Sequence, residues 1–311
     1  DDNILELYGG YFPGVPVLTV KPGEDSKTLT VIERLAGKML DKGIDRSGFL
    51  VAIGGGVVCD IGGFLASIYM RGIRCGYVST SLLSQVDAST GGKNGVDLGG
   101  TKNILGIIRQ PEFVICDQSM LLTLPEEEYL SGLSELIKTA IIGDKELFGI
   151  IESGHDLIMK RDIGLLTDLV TRSVKFKASV VMEDEREAGL RRILNFGHTF
   201  GHAIEMQTSF RHGYAVASGM ELAAWFSLIK GFINEYEKER ITGMLEAFEL
   251  LNNYNIDAGT IEHLISQDKK KTGKDIHFVF VSGIGKAVVE KVPVDELVGF
   301  YTMYREKKIK L

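Results

Sequence analysis

Three histidines, His198, His202 and His212, fall within fifteen residues of a chain that holds only six. His198 and His202 are spaced i and i+4, on one face of a helix, and His212 follows a short loop at the start of another. A pair so placed suits a shared metal, or one metal ligand beside one acid/base group. Thr199 stands where the H-E-x-x-H metalloprotease pattern requires Glu, which excludes that chemistry. A single helix histidine is ordinarily a core or surface residue. Three of them, with Glu135 on a helix that also offers Lys138, point to a His/His/Glu zinc site with open coordination positions.

Glycine supplies the second signal. The chain holds 37, nearly twice the usual share of about 7%, and thirteen lie between Gly54 and Gly106. Gly54-Gly55-Gly56 follow an apolar run and lead into a helix carrying Asp60, a place where backbone amides take phosphate and a dinucleotide can approach the main chain. Cys59 breaks the strict G-x-G-x-x-G pattern, so a tight turn with no ligand is the alternative. Gly91-Gly92-Lys93-Asn94-Gly95, with Lys102 and Asn103 soon after, suits an anionic substrate or phosphate. It lacks the Walker spacing, and a solvated basic loop is the plainer reading. Pro22 to Lys27 is a second polar loop on the same expected sheet edge, its alternative a plain turn with a helix cap. Arg71 closes a helix. Lys177, Glu187, Arg191 and Asn195 lead up to the histidines, and Asp268-Lys269-Lys270-Lys271 is a basic cluster. Each of these alone reads as surface charge; their grouping around a candidate metal is what informs.

The elements that must position these residues follow from periodicity. Val17–Val20, Phe49–Ile53, Cys75–Ser79 and Phe113–Cys116 are short apolar runs, alternating with helical patterns at Thr28–Leu40 and Val57–Met70. Such order implies an α/β domain with a Rossmann-like, mostly parallel sheet over residues 1–122. Residues 123–311 read as a mainly helical domain for metal and substrate, with helices at Glu126–Ile142, Ile163–Met182, Arg191–Gln207 and Val216–Ile233. A hairpin turns around Ser282–Gly285 before a last helix from Val294. A cleft between the two domains is the expected ligand site.

Composition narrows the classes. With 311 residues, 44% hydrophobic and 25% charged, the chain buries a large core and is not disordered. A net charge of −7 and a pI near 5.5 argue against a nucleic-acid partner. No apolar stretch reaches the roughly 18 to 20 residues of a membrane helix. Cys59, Cys75 and Cys116 lack metal spacing and read as buried thiols of a reducing, cytoplasmic compartment. The chain opens at Asp1-Asp2-Asn3 with no methionine.

The motifs together resemble the 3-dehydroquinate synthase family of sugar phosphate cyclases. The match runs through GGGVVCDIGGF, YMRG, LLSQVDASTGGKNGVD, TKNILG, SGLSELIK, KASVVMEDEREAGLRRILNFGHTFGHAIE, HGYAVASGM and DKK, nearly the whole chain. The resemblance implies an NAD-binding Rossmann-like domain joined to a helical metal domain, in a homodimer acting on a small sugar phosphate. Glu135, His198 and His212 would bind zinc, with cobalt as the alternative ion. His202, Lys138, Asp87, Glu187 and Asn195 would be catalytic. Arg71, Lys93, Asn103, Lys177, Arg191 and one of Lys269 and Lys270 would bind substrate, Arg71 across the dimer. NAD contacts would fall on Glu24, Lys27, Gly55, Gly56, Val57, Val58, Asp60, Thr80, Ser81, Lys93, Lys102, Met120 and Thr123. The implied reaction is transient oxidation, phosphate elimination, reduction and aldol closure of a heptulosonate phosphate, in the shikimate pathway.

This sequence departs from the family pattern in places. Tyr214 replaces a Glu after the third histidine, Asn94 replaces a Thr after the loop lysine, and Thr80-Ser81 stand for paired threonines. Residues matching the family's first strand and helix are not seen. A cyclase for another sugar phosphate, a metal-dependent polyol or alcohol dehydrogenase, and a catalytically silent relative are the competing readings.

Overall fold

A computed structural model describes residues 1–266, 271–272 and 275–309. Its contacts divide the chain into two compact units, Asp1–Pro125 and Glu126–Leu311. No described helix is long and apolar enough to cross a membrane.

The first unit holds α1 (Asp2–Tyr8), α2 (Leu29–Asp41), β1 (Phe49–Gly54), α3 (Gly56–Ile68), β2 (Arg74–Ser79), β3 (Lys93–Leu98), β4 (Thr101–Ile108) and β5 (Val114–Cys116). β1, β2 and β5 form a parallel sheet in that order, with Phe49 opposite Arg74 and Tyr77 opposite Val114. Parallel neighbours need a crossover, and α3 supplies the one between β1 and β2. Ile32, Leu35 and Met39 of α2 recur on one face. They pack with Ile61, Phe64 and Leu65 of α3, Ala52, Cys75, Tyr77 and Val96 into a single core.

Two expectations fail here. Val17–Val20 joins no strand: only Val20 is buried, and its carbonyl accepts from the Asp2 amide. Lys93 does not sit in a loop. It opens β3, which pairs antiparallel with β4, the register shifting between Val96 and Leu98.

The second unit contains α4 (Glu126–Gly143), α5 (Lys145–Ser153), α6 (His155–Met159), α7 (Ile163–Glu183), α8 (His198–Gln207), α9 (His212–Ile229), α10 (Glu235–Ala247), α11 (Ala258–Ser266), β6 (Lys271–Thr272), β7 (Asp275–Val281), β8 (Ala287–Pro293) and α12 (Val294–Ile309). Strands β6, β7 and β8 form an antiparallel sheet. Every residue of α4 from Tyr129 to Ile142 is buried, so this helix is the axis of the unit and its polar side chains must find partners inside. An aromatic cluster anchors α8, α9, β7 and α12: Phe226 stacks on Phe300 at 4.6 Å, and Phe200 meets Phe278 edge-on at 5.9 Å.

The helix expected over Arg191–Gln207 is broken. Leu190–Asn195 is a 3-10 turn, Gly197 adopts φ +78°, and α8 starts only at His198.

Candidate active site

Glu135 and Lys138 lie one turn apart on α4, both buried, with the lysine ammonium against carboxylate atom Oε2. The other oxygen, Oε1, accepts no hydrogen bond of normal geometry. It faces the Nε2 atoms of His212 at 3.6 Å and His198 at 3.8 Å. One ligand atom from each of the three residues lies within 4.8 Å of the others. A buried carboxylate oxygen facing two imidazole nitrogens, all too far apart to bond one another well, is a donor set arranged around a cation. The residues therefore fit a zinc-type ion. Burial alone would raise the Glu135 pKa, but Lys138 and His212 outweigh it and bring it to about 2. Burial opposes charge on His212 too, yet Glu135 and Glu205 hold its pKa up at about 10.

The placement of the ligands is a packing result. At Gly213 a Cβ would overlap the Ser131 main chain, and the Gly213 amide donates to Ser131 Oγ at 3.0 Å. That contact seats the start of α9, and so His212, beside α4. Both ligand histidines have their Nδ1 atoms occupied, His198 by the Phe196 carbonyl at 3.1 Å and His212 by Glu205 at 3.1 Å. Such contacts orient a ligand ring. His202 joins the group, its ring centroid 5.2 Å from His198 and 6.2 Å from His212.

A polar segment leads into α8. Asp184, at the end of α7, accepts from the amides of Ala188, Gly189 and Arg191 at 2.9, 2.7 and 3.0 Å. The Gly189 amide is the main reason its carboxyl lies below the ordinary range. Within this loop Glu187 takes φ +59°, and Asn195 Nδ2 donates to Glu187 Oε1. Arg191 is buried, with Nη1 donating to the Glu185 carbonyl at 2.6 Å. Lys177 is buried on α7. Lys269 and Lys270 lie outside the described residues.

In the first unit, α3 begins at Gly56 with no side chain capping its amides, leaving the donors of its first turn for a ligand. A Cβ on Gly55 would stand 3.1 Å from Ser81 Oγ, and one on Gly56 would stand 3.1 Å from the Ala88 Cβ. Bare backbone at these two positions lets Ser81 and Ala88 lie close against the turn, and its uncapped amides fit a dinucleotide phosphate. Val57 and Val58 continue this turn. Lys27, buried, bonds Asp60 at 2.7 Å and Asn103 at 2.6 Å and pairs with Glu24 at 3.1 Å. Thr80 is tied to the end of β1 by its amide, which donates to the Gly54 carbonyl at 3.0 Å. Asp87 lies on the following Ser84–Ala88 turn. Lys93 opens β3 and Lys102 is the second residue of β4, both exposed. Met120 and Thr123 share the Gln118–Thr123 turn, where Thr123 meets the Tyr8 hydroxyl at 2.8 Å. Arg71 sits in the turn after α3.

Sequence reasoning missed two contributors, Glu205 and Asp184. Glu205 stands inside the long histidine motif, seven residues before His212, and that spacing alone could have suggested it.

Comparison with known proteins gives a consistent result. The family model for the 3-dehydroquinate synthase N-terminal domain matches residues 17–131, and that for the C-terminal domain matches residues 132–271. The chain is 41% identical over 282 residues to the 3-dehydroquinate synthase of Solibacter usitatus (strain Ellin6076), spanning 89% of this chain and 79% of that protein. Among solved structures it resembles ValA, a 2-epi-5-epi-valiolone synthase from Streptomyces hygroscopicus subsp. jinggangensis 5008 with NAD+ and Zn2+ bound. The TM-score is 0.91 and the identity 26%, over 98% of this chain and 89% of that one. A 2-deoxy-scyllo-inosose synthase complexed with carbaglucose-6-phosphate, NAD+ and Co2+ gives 0.86 at 27% identity, over 96% and 86%.

Proposed function

The chain belongs to the 3-dehydroquinate synthase family, and on that premise we propose that it converts 3-deoxy-D-arabino-heptulosonate 7-phosphate to 3-dehydroquinate and phosphate. This is a lyase reaction of the shikimate pathway, on the route to chorismate and the aromatic amino acids. The observation that carries the reading is the Glu135 oxygen facing His198 and His212 with no hydrogen bond of its own. The higher identity to a 3-dehydroquinate synthase, 41% against 26% and 27% for the two other cyclases, favours this substrate.

Residues 1–122 are assigned to NAD, and residues 123–311 to metal and substrate. Zinc, or cobalt in its place, would supply acidification of substrate hydroxyls when held by Glu135, His198 and His212, and NAD+ held at the α3 turn would supply reversible hydride transfer. The chain's own residues supply the rest. Glu135, His198 and His212 hold the metal. Lys27 fixes Asp60 and Asn103 beside the α3 amides, with Glu24, Thr80, Ser81, Lys102, Met120 and Thr123 as further cofactor contacts. Buried Lys177 and Arg191 suit the substrate carboxylate, since a cation kept from water binds an anion more strongly. Arg71, Lys93 and Asn103 hold the phosphate, with His202 holding a proton near it. Lys138, Asp87 and the Glu187–Asn195 pair position the substrate hydroxyls, and Lys269 or Lys270 adds a further cation.

We assign the enzyme to the cytoplasm and to a homodimer. Ile104, Ile107 and Ile108 are exposed on β4, whose one strand partner among the described residues is β3. An apolar edge of this kind is covered in stable proteins, and a second copy that also receives Arg71 would cover it.

The test is incubation with the heptulosonate phosphate, zinc and catalytic NAD+. Phosphate release equal to substrate consumed, without net NADH, is the expected result. Net NADH would mean a dehydrogenase, and no turnover with both groups bound would mean a silent relative.

A further inference from the structure

Outside the site already described, one residue ties together two segments that carry candidate anion-binding cations. Arg109, just beyond β4, donates from Nη1 to the Ala66 carbonyl at 3.1 Å and from Nη2 to the Ile73 carbonyl at 2.6 Å. Those two carbonyls flank the Tyr69–Gly72 turn that bears Arg71. The main chain of Arg109 grips a second segment. Its amide donates to the Gly92 carbonyl at 2.8 Å, and its carbonyl accepts from Asn94 Nδ2 at 3.0 Å, on either side of Lys93.

Both segments need holding. Met70, Arg71 and Gly72 are consecutive residues at φ +51°, +67° and +117°. Two of them carry side chains, and left-handed backbone at such residues persists only where the surroundings over-determine it. Within the turn the Gly72 amide donates to the Tyr69 carbonyl at 2.8 Å and the Ile73 amide to the Ala66 carbonyl at 2.8 Å. The Arg109 fork therefore closes on the same Ala66 carbonyl that the turn itself uses. On the other side, Asn94 also donates to the Gly92 carbonyl at 2.9 Å, and its Oδ1 accepts from the Tyr77 hydroxyl at 2.7 Å. Tyr77 and Asn94 are buried, and the contact leaves no room for a side chain at Gly63 of α3.

We infer that Arg109 is a positioning residue that clamps the Arg71 turn and anchors it to the strand carrying Lys93, fixing where Arg71 presents its cation to the phosphate bound by the second copy. A planar fork with parallel donors reaches two carbonyls at once, which a lysine ammonium on a flexible stem does less well. The role of the phosphate rests on the proposed sugar phosphate chemistry; the clamp itself does not.

The test is a double-mutant cycle of Arg109→Gln, Arg71→Ala and the pair, read by kcat and KM for the heptulosonate phosphate and by amide exchange over residues 66–74. Loss of two hydrogen bonds should raise KM about tenfold in R109Q, with kcat within about threefold. Exchange at Gly72 and Ile73 should quicken about tenfold. In the R71A background R109Q should add less than about twofold to KM, because the clamp acts through Arg71. Equal, additive effects in both backgrounds, or unchanged exchange, would overturn the proposal. Zinc content should stay at the wild-type level. If R109Q does not fold, R109K, which keeps the charge but gathers its donors on a single nitrogen, should give the same pattern at smaller size, and its failure to do so counts against the clamp. If the wild-type enzyme releases no phosphate, the functional reading falls, and the exchange comparison still decides the clamp.

Discussion

Glu205 Oε2 lies 3.1 Å from Nδ1 of His212 while Nε2 of the same ring faces Glu135 Oε1 at 3.6 Å. An ionised carboxylate only accepts, so this contact keeps a proton on Nδ1, and a bound metal would take the place of the proton that Nε2 carries toward Glu135 in the metal-free site. Glu205 supplies this orienting contact from α8. Replacement of Glu205 by Ala should weaken zinc binding by about 10- to 100-fold. Glu205→Gln, which keeps an acceptor, should lose less. Competition with a colorimetric chelator measures both, and equal zinc affinity in the three proteins would remove Glu205 from the site.

His198→Ala should lose zinc and turnover together, since Glu135 and His212 alone leave a metal two protein ligands short of a tetrahedral shell. The helical signal in circular dichroism should be unchanged. A His198→Ala protein with full zinc and full activity would refute the ligand set.

Lys27 is the hub of the cofactor side, and Lys27→Met should cost the protein NAD affinity about tenfold while zinc affinity stays level. Titration calorimetry with NAD+ and the chelator assay separate the two. The pH behaviour follows from the same contacts. Burial lowers the Lys27 pKa, but Asp60 and then Glu24 raise it further, to a net position above its ordinary 10.5. A raised pKa contributes stability that is complete below the unfolded value and is lost as pH rises through the folded one. Wild type should therefore lose part of its margin over Lys27→Met only above about pH 10.5.

Much of the site was legible because it rests on local spacing. The i, i+4 histidines, the strand-to-helix glycine turn at Gly54–Gly56 and the α4 carboxylate at Glu135 are all readable from neighbours within a few residues. What escaped depends on long-range packing. Gly197 has the apolar company of a helix residue, yet α9 forces it out of helical geometry. Lys93 sits among Gly91, Gly92 and Gly95, whose lack of side chains hides the alternation of a strand. Arg109 bonds carbonyls 43 and 36 residues away, a relationship no periodicity carries.

Cys59 should be inert to thiol reagents. It is buried on α3, and burial, aided by nearby Asp60, pushes its pKa up to about 12; burial likewise raises Cys116 to about 11. The thiolate is the reactive form, so mass spectrometry after iodoacetamide at pH 8 should show Cys59 unmodified in the folded protein and modified in urea. Rapid labelling of folded protein at Cys59 would contradict the packing of α3 on β1.

The break before α8 predicts opposite signs for two Gly→Ala changes. Gly197 has φ +78°, and a Cβ there would lie 2.6 Å from Met220 Cγ and 2.9 Å from both the Met220 amide nitrogen and the Val216 carbonyl oxygen. Gly197→Ala adds a left-handed penalty of about 1–2 kcal/mol to an overpacking penalty of about 1–3 kcal/mol. At about 2–4 °C per kcal/mol for a unit of this size, melting should fall by roughly 4–20 °C. Because His198 is the next residue, zinc affinity should fall with it. Gly243, inside α10, has nothing within 4 Å of the same built Cβ, and Gly243→Ala should instead stabilise by about 0.5–1 kcal/mol through helix propensity. If both variants melt like wild type, the close crossing of α8 on α9, and with it the placement of His198, is wrong.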